Sequence, residues 1–175
     1  MSKNALVVID MQNDFVTGVL GTPEARTIVK PMVEYVDKFD GPIYFTQDTH
    51  FDGYLNTIEG KKLPVEHCIE DTDGWKIIPE LQKYLKFNGV FQKSTFGCHR
   101  LAHKLAIECD YHRIDNVILI GVCTGICVIS NALLIKAVTN GKLNVQVKAD
   151  LCACVTPESH KIALEAMKTC QIDII

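Results

Sequence analysis

The feature that most limits what this chain can fold into is a set of six short apolar runs, at residues 5–9, 42–46, 89–92, 116–121, 143–148 and 171–175. Several are rich in Val and Ile, and most are near-continuous rather than alternating, which suits strands covered by helices on both faces. Helical patterns fill most of the gaps. Residues 25–39 carry Ile28, Val29, Met32, Val33 and Val36 at helical spacing. Residues 76–86, 98–108, 125–140 and 157–169 also predict helices. Gly141 follows the fourth as a C-terminal stop, Pro157 occupies a first helical turn, and Thr156 before it is an N-cap candidate. Strands alternating with helices predict an α/β fold: a doubly wound, mostly parallel six-stranded sheet with helices on both faces. The one long interruption, residues 50–74, holds Gly53, Gly60, Pro64 and Gly74 with little periodicity. A loop of that length inside a compact unit reads as a functional insertion. The expected organisation is a single domain over 1–175, since typical domains run to about 100–150 residues.

Charge excludes several classes of partner. Lys plus Arg number 18 against 21 Asp plus Glu, a formal net charge of −3, and no basic run stands out. Binders of nucleic acid or anionic membrane draw their affinity from clustered positive charge, so neither partner is expected. No stretch approaches the ~20 apolar residues of a membrane helix. The N-terminus leads directly into the run at 5–9, too short for the apolar core of a signal peptide, so the expected location is the cytoplasm. There the eight cysteines are expected to stay reduced, most of them as small buried hydrophobes. None form a C-x-x-C pair.

Ligands of doubly wound sheets sit outside the carboxyl ends of the strands. Just past the predicted strands come Asp10, then Asp48 and His50, then Lys93, then Cys123 and Cys127, then Asp150. Cys127 is the strongest nucleophile candidate. It follows Val117-Ile118-Leu119-Ile120-Gly121 at a helix start, where unpaired amides and the helix dipole favour a thiolate and can bind an oxyanion. The bland alternative is a buried structural cysteine. Asp10 ends an apolar strand, where desolvation raises a carboxyl pKa toward that of a general base; it could equally be a polar strand terminus, and Asp14 competes for the role. Lys93, if buried, would stabilise both groups; if not, it is a surface lysine. Asp48 and His50, with Glu59 and His67 from the long loop, offer mixed oxygen and nitrogen ligands for a divalent transition metal, provided the loop folds back. His99, His103, His112 and His160 read as solvated or locally satisfied.

Three segments together resemble the isochorismatase-like cysteine hydrolases. They are Ala5-Leu-Val-Val-Ile-Asp10-Met-Gln-Asn-Asp14-Phe15, Phe91-Gln-Lys93-Ser-Thr-Phe96-Gly, and Ile120-Gly-Val-Cys123-Thr124-Gly-Ile-Cys127-Val128. The resemblance implies an isochorismatase-like, Rossmann-like fold and a triad of Asp10, Lys93 and Cys127. It also implies a cis peptide between Val122 and Cys123, which turns the Cys123 N–H toward the site to act with the Cys127 N–H on an oxyanion. Asp48-Thr49-His50 and His67-Cys68, with Glu59 between, are similar to the metal set of the family's nicotinamidase/pyrazinamidase subgroup. That likeness implies one divalent ion (Zn, Fe or Mn), with Phe15 and Phe96 lining a pocket for a pyridine ring. The implied activity is hydrolysis of nicotinamide, or a related small amide, to the acid and ammonia through a thioester, by a homo-oligomer of this chain. The alternative is a metal-free hydrolase of the same fold acting on another small amide or an enol ether. More distant is a doubly wound domain used only for binding.

Overall fold

The computed structural model describes residues 3–175. Met1 and Ser2, which the sequence reading runs into the first strand, lie outside the described residues. Among the described residues, six strands form one sheet: β1 (Asn4–Ile9), β2 (Ile43–Asp48), β3 (Val90–Lys93), β4 (Asn116–Val122), β5 (Asn144–Ala153) and β6 (Asp173–Ile174). Their order is β3-β2-β1-β4-β5-β6, and each neighbouring pair is parallel. The winding therefore reverses between β1 and β4, and that switch point is where a doubly wound sheet opens a crevice at its carboxyl edge.

Side-chain alternation explains why the strand sequences read as unbroken apolar runs. Ala5, Val7 and Ile9 join Val117 and Leu119 in one core, while Leu6 and Val8 join Ile118, Ile120 and Val122 in the other. Successive residues face opposite sides of a strand, and here both sides are dry. The first core lies under α4 (His99–Asp110), α5 (Ile129–Val138) and α6 (Pro157–Thr169). The second packs against α2 (Pro23–Asp37), which follows the four-residue α1 (Asn13–Val16). Thr22 and Thr156 cap α2 and α6 by accepting the Ala25 and Ser159 amides. No helix among the described residues is long and apolar enough to cross a membrane.

Several boundaries differ from the sequence reading. Residues 76–86 form only a 3-10 segment, Pro79–Tyr84, in place of an α-helix. Residues 125–140 divide into a π-helical turn, Thr124–Val128, and α5. The long loop is more ordered than its glycines imply. It holds a 3-10 turn at Tyr54–Asn56 and a short helix, α3 (Ile58–Lys62), capped by Thr57 through the Gly60 amide. β5 runs five residues further than expected, so Asp150 is not at the rim. It is an exposed residue within β5, paired with Lys148 at 3.0 Å. β5 keeps its length through a register irregularity opposite Leu119 and Gly121, which disguises its strand period.

Gly121 pairs with Ile9 where the winding reverses and has φ of 123°, and a side chain there would run into the Ile9 backbone. Gly121→Ala is expected to destabilise the protein by more than ~2 kcal/mol, because strain and overlap add. Urea unfolding followed by circular dichroism measures it.

Candidate active site

The switch point brings the ends of three strands together. Asp10 follows β1, Lys93 ends β3, and Cys127 lies in the π-helical turn after β4. All three are buried. Lys93 Nζ stands 2.7 Å from Asp10 Oδ2, 3.7 Å from Cys127 Sγ and 3.3 Å from Asp48 Oδ1. Asp10 is held from its other side: the Thr46 hydroxyl donates to Oδ1 at 2.6 Å, and the Asp10 amide donates to the same hydroxyl at 3.2 Å. The Oδ2 contact with Lys93 is that of an ion pair rather than a directed hydrogen bond. The Val122–Cys123 peptide is cis.

Burial raises the Asp10 carboxyl above its usual range, against the opposing pull of Lys93. Lys93 is itself held well above the ordinary lysine value, because Asp10, Cys127 and Asp48 outweigh its desolvation. For Cys127 the structure corrects the sequence reading. Burial, reinforced by Asp10 and only partly offset by Lys93, pushes the thiol up rather than down. A dry site opposes charge on sulfur more than one turn of helix favours it. Burial thus favours the protonated sulfur, and the neighbouring Asp10 carboxyl is placed to exchange a proton with it.

The second constellation adjoins the first through Asp48. The loop does fold back: the His50 amide donates to the Cys68 carbonyl and the Glu70 amide to the His50 carbonyl, each at 2.9 Å. Asp14 secures the returning strand end, its Oδ2 accepting the Cys68 amide at 2.7 Å. That contact commits Asp14 to the loop and removes it from the proton-transfer geometry. His50 Nε2 lies 3.1 Å and His67 Nε2 3.6 Å from Asp48 Oδ2. One ligand atom from each of Asp48, His50 and His67 falls within 4.8 Å of the others. Glu59, on the first turn of α3, stands outside that trio, with Oε1 3.9 Å from His50 Nε2.

This donor set fits a divalent cation. His67 Nδ1 donates to the Val65 carbonyl at 2.8 Å, which orients the ring so that Nε2 faces Asp48. Despite its burial, Asp48 is held well below the usual carboxylate range by His50, His67 and Lys93, so an anionic oxygen is on offer.

Phe15 is half-buried, with its ring 5.6 Å from that of His67. Phe96 is half exposed. Sequence reasoning missed Gln12 and Asn131. The Gln12 side chain accepts the Asp48 amide at 2.7 Å and donates to the Asp48 and Trp75 carbonyls, both at 2.8 Å, tying the end of β1 to the end of β2. Asn131, fully buried on α5, donates to the Cys127 carbonyl at 2.7 Å and the Phe96 carbonyl at 3.0 Å, and accepts the Cys98 amide at 2.8 Å. An amide four residues past the cysteine, on the same helical face, was the only signal for Asn131.

Residues 4–175 match the model of the isochorismatase domain. The chain belongs to the isochorismatase family. The nicotinamidase/pyrazinamidase of Mycobacterium tuberculosis is 29% identical over 98% of this chain and 97% of its own length. Among solved structures, the pyrazinamidase/nicotinamidase of Streptococcus mutans superposes with a TM-score of 0.80 at 27% identity, covering 99% of this chain and 100% of that one. The Pyrococcus horikoshii pyrazinamidase, solved in complex with zinc, superposes with a TM-score of 0.78 at 25% identity, covering 99% and 98%.

Proposed function

We propose that this amidohydrolase is a nicotinamidase, converting nicotinamide to nicotinate and ammonia within a single domain over 1–175. The observation that carries the reading is the double role of Asp48. One oxygen meets the lysine that contacts Asp10 and Cys127, and the other meets both histidines. A nucleophile and a candidate metal centre therefore share a wall, and a small heteroaromatic amide can span the two.

In this reading Asp10 takes the Cys127 proton as sulfur attacks the carboxamide carbon. The Cys123 and Cys127 amides hold the oxygen of the tetrahedral intermediate. Asp10 then returns the proton to nitrogen, ammonia leaves, and a thioester on Cys127 remains. Asp10 next activates water against the thioester, releasing the acid and restoring the thiol. Lys93 keeps the carboxylate and sulfur in register throughout. Asp48, His50 and His67, with Glu59 as a fourth group, hold one divalent ion; imidazole and carboxylate together suit Zn, Fe or Mn. When bound, the ion supplies a Lewis-acidic anchor for the ring nitrogen of the substrate. Phe15, beside His67, packs on the ring, and Phe96 closes the outer edge.

His50→Ala is expected to lower metal content as purified and to raise KM for nicotinamide by at least ~10-fold, since a ligand is lost outright. Alkylation of Cys127 by a simple electrophile should change much less. Elemental analysis and an ammonia-release assay test the reading together. Metal content and KM that both match the parent protein would remove His50 from the site.

A further inference from the structure

The two stretches of chain that supply Lys93 and Cys127 meet a second time, behind the reacting groups. Lys93 ends β3, and residues 94–97 lead from it to Cys98, the cap of α4. Cys127 lies in the π-helical turn that runs into α5. At the front, Lys93 Nζ approaches Cys127 Sγ at 3.7 Å. At the back, Asn131 of α5 holds both stretches with one side chain. Its amide nitrogen donates to the Cys127 carbonyl at 2.7 Å and to the Phe96 carbonyl at 3.0 Å, and its oxygen accepts the Cys98 amide at 2.8 Å. Both N–H groups and the carbonyl oxygen are thus engaged, and the side chain is fully buried. An independent feature shows how close the approach is. A Cβ at Gly97 would stand 3.1 Å from Leu134 Cδ2 and 3.6 Å from the Ser130 carbonyl oxygen, so residue 97 rests directly on α5.

We infer that Asn131 is a positioning residue of the hydrolase, a strut that fixes the Lys93 stretch against the Cys127 turn and so sets the spacing of lysine and sulfur. The inference deepens the proposed function and rests on Cys127 acting as its nucleophile. The bond to the Cys127 carbonyl is local, reaching back four residues along the helix, and a hydroxyl at position 131 could also make it. The bonds to Phe96 and Cys98 join residues 35 and 33 positions apart. Making all three at once takes a side chain with two donors and an acceptor at this reach. Lys93 meets sulfur through a flexible four-carbon stem, and a π-helical turn is a rare conformation, so neither fixes the spacing unaided. A misplacement of about 1 Å between reacting groups costs on the order of 10²-fold in rate. Asp48, His50 and His67, which would anchor the substrate ring, stand at the end of β2 and in the loop after it, so affinity should be spared.

The test compares the purified parent protein with Asn131→Ser and Asn131→Ala, each assayed well below its own melting temperature. Serine keeps a donor for the Cys127 carbonyl and loses the reach to Phe96 and Cys98, whereas alanine loses all three bonds. The expected result is a fall in kcat for ammonia release of ~10- to 10²-fold in both variants, with KM within about threefold of the parent. A folded Asn131→Ser that keeps the parent kcat, losing only affinity or only melting temperature, would overturn the inference, because the bond it retains is the local one. Should Asn131→Ser fail to fold, Gly97→Val makes the same test from the other side. It wedges residue 97 away from α5 while every hydrogen-bonding group stays in the chain. The same fall in kcat is expected, and an unchanged kcat would again overturn the inference. All variants are also read on p-nitrophenyl acetate, whose nitrophenolate release reports acylation of Cys127 without nicotinamide. A parent protein that is acylated by the ester and releases no ammonia from nicotinamide refutes the substrate reading, and the Asn131 comparison is then decided on the ester. A parent protein that reacts with neither overturns the inference together with the role of Cys127.

Discussion

Cys127→Ala is expected to lower kcat for amide hydrolysis by at least ~10⁴-fold, to the level of substrate binding without covalent chemistry. The substitution removes one buried sulfur atom from the turn after β4 and leaves every other group in place. Lys93 keeps its ion pairs with Asp10 and Asp48, so the charge balance of the cleft is unchanged. Metal content should match the parent, because Asp48, His50 and His67 lie on different elements. Thermal unfolding should shift by only a few degrees. Steady-state ammonia release, read beside elemental analysis and a melting curve, checks all three. A variant retaining a hundredth of the parent rate would move the nucleophile elsewhere, with Cys123, just past the end of β4, the first candidate.

Asp10→Asn is expected to slow acylation by ~10²- to 10⁴-fold, the usual contribution of a positioned general base. The replacement preserves shape and can still accept the Thr46 hydroxyl at its carbonyl oxygen. It cannot take a proton. Because the Cys127 thiol is raised by burial, no other route readily supplies the thiolate. Lys93 loses its shorter ion pair and keeps Asp48, so some loss of stability accompanies the kinetic effect. Single-turnover acylation measured below the melting temperature separates the two. A near-normal rate would contradict the base role of Asp10, and Asp14 could not inherit it without releasing the Cys68 amide.

What the sequence revealed, and what it did not, follows from the range of each signal. The apolar runs at 5–9 and 116–121 were legible because both faces of β1 and β4 are buried, leaving no polar alternation to confuse them. Helix α6 was legible to the residue because Thr156 and Pro157 mark its start. The far half of β5 was not, because its register irregularity and the polar Lys148, Asp150 pair break the strand period. Asp150 was misplaced for that reason. Residues 79–84 carry helical spacing yet form only a 3-10 segment.

At the site, strand ends alone brought Asp10, Lys93 and Cys127 to one rim, since position at the carboxyl edge is a property of the fold class. The closure of the loop over His50 and His67 was conditional in sequence. It depends on the bond from the Cys68 amide to Asp14 and on the bridge between His50 and Ile69, contacts that join residues far apart in the chain. Gln12 left no readable signal, and Asn131 only its spacing from Cys127, because a buried amide side chain looks like any other polar residue until its partners are known. The protonation state of Cys127 was inverted for a related reason: helix position is local and visible, whereas desolvation is set by the whole core.

The most direct test of the account is ammonia release from nicotinamide by protein of known metal content, before and after chelation. The expected result is about one divalent ion per chain as purified, ammonia and nicotinate produced in equal amounts, loss of most activity on chelation, and recovery when the ion is returned. Protein that is metal-free as purified and hydrolyses nicotinamide equally well in the presence of chelator would contradict it, as would metal-loaded protein that releases no ammonia.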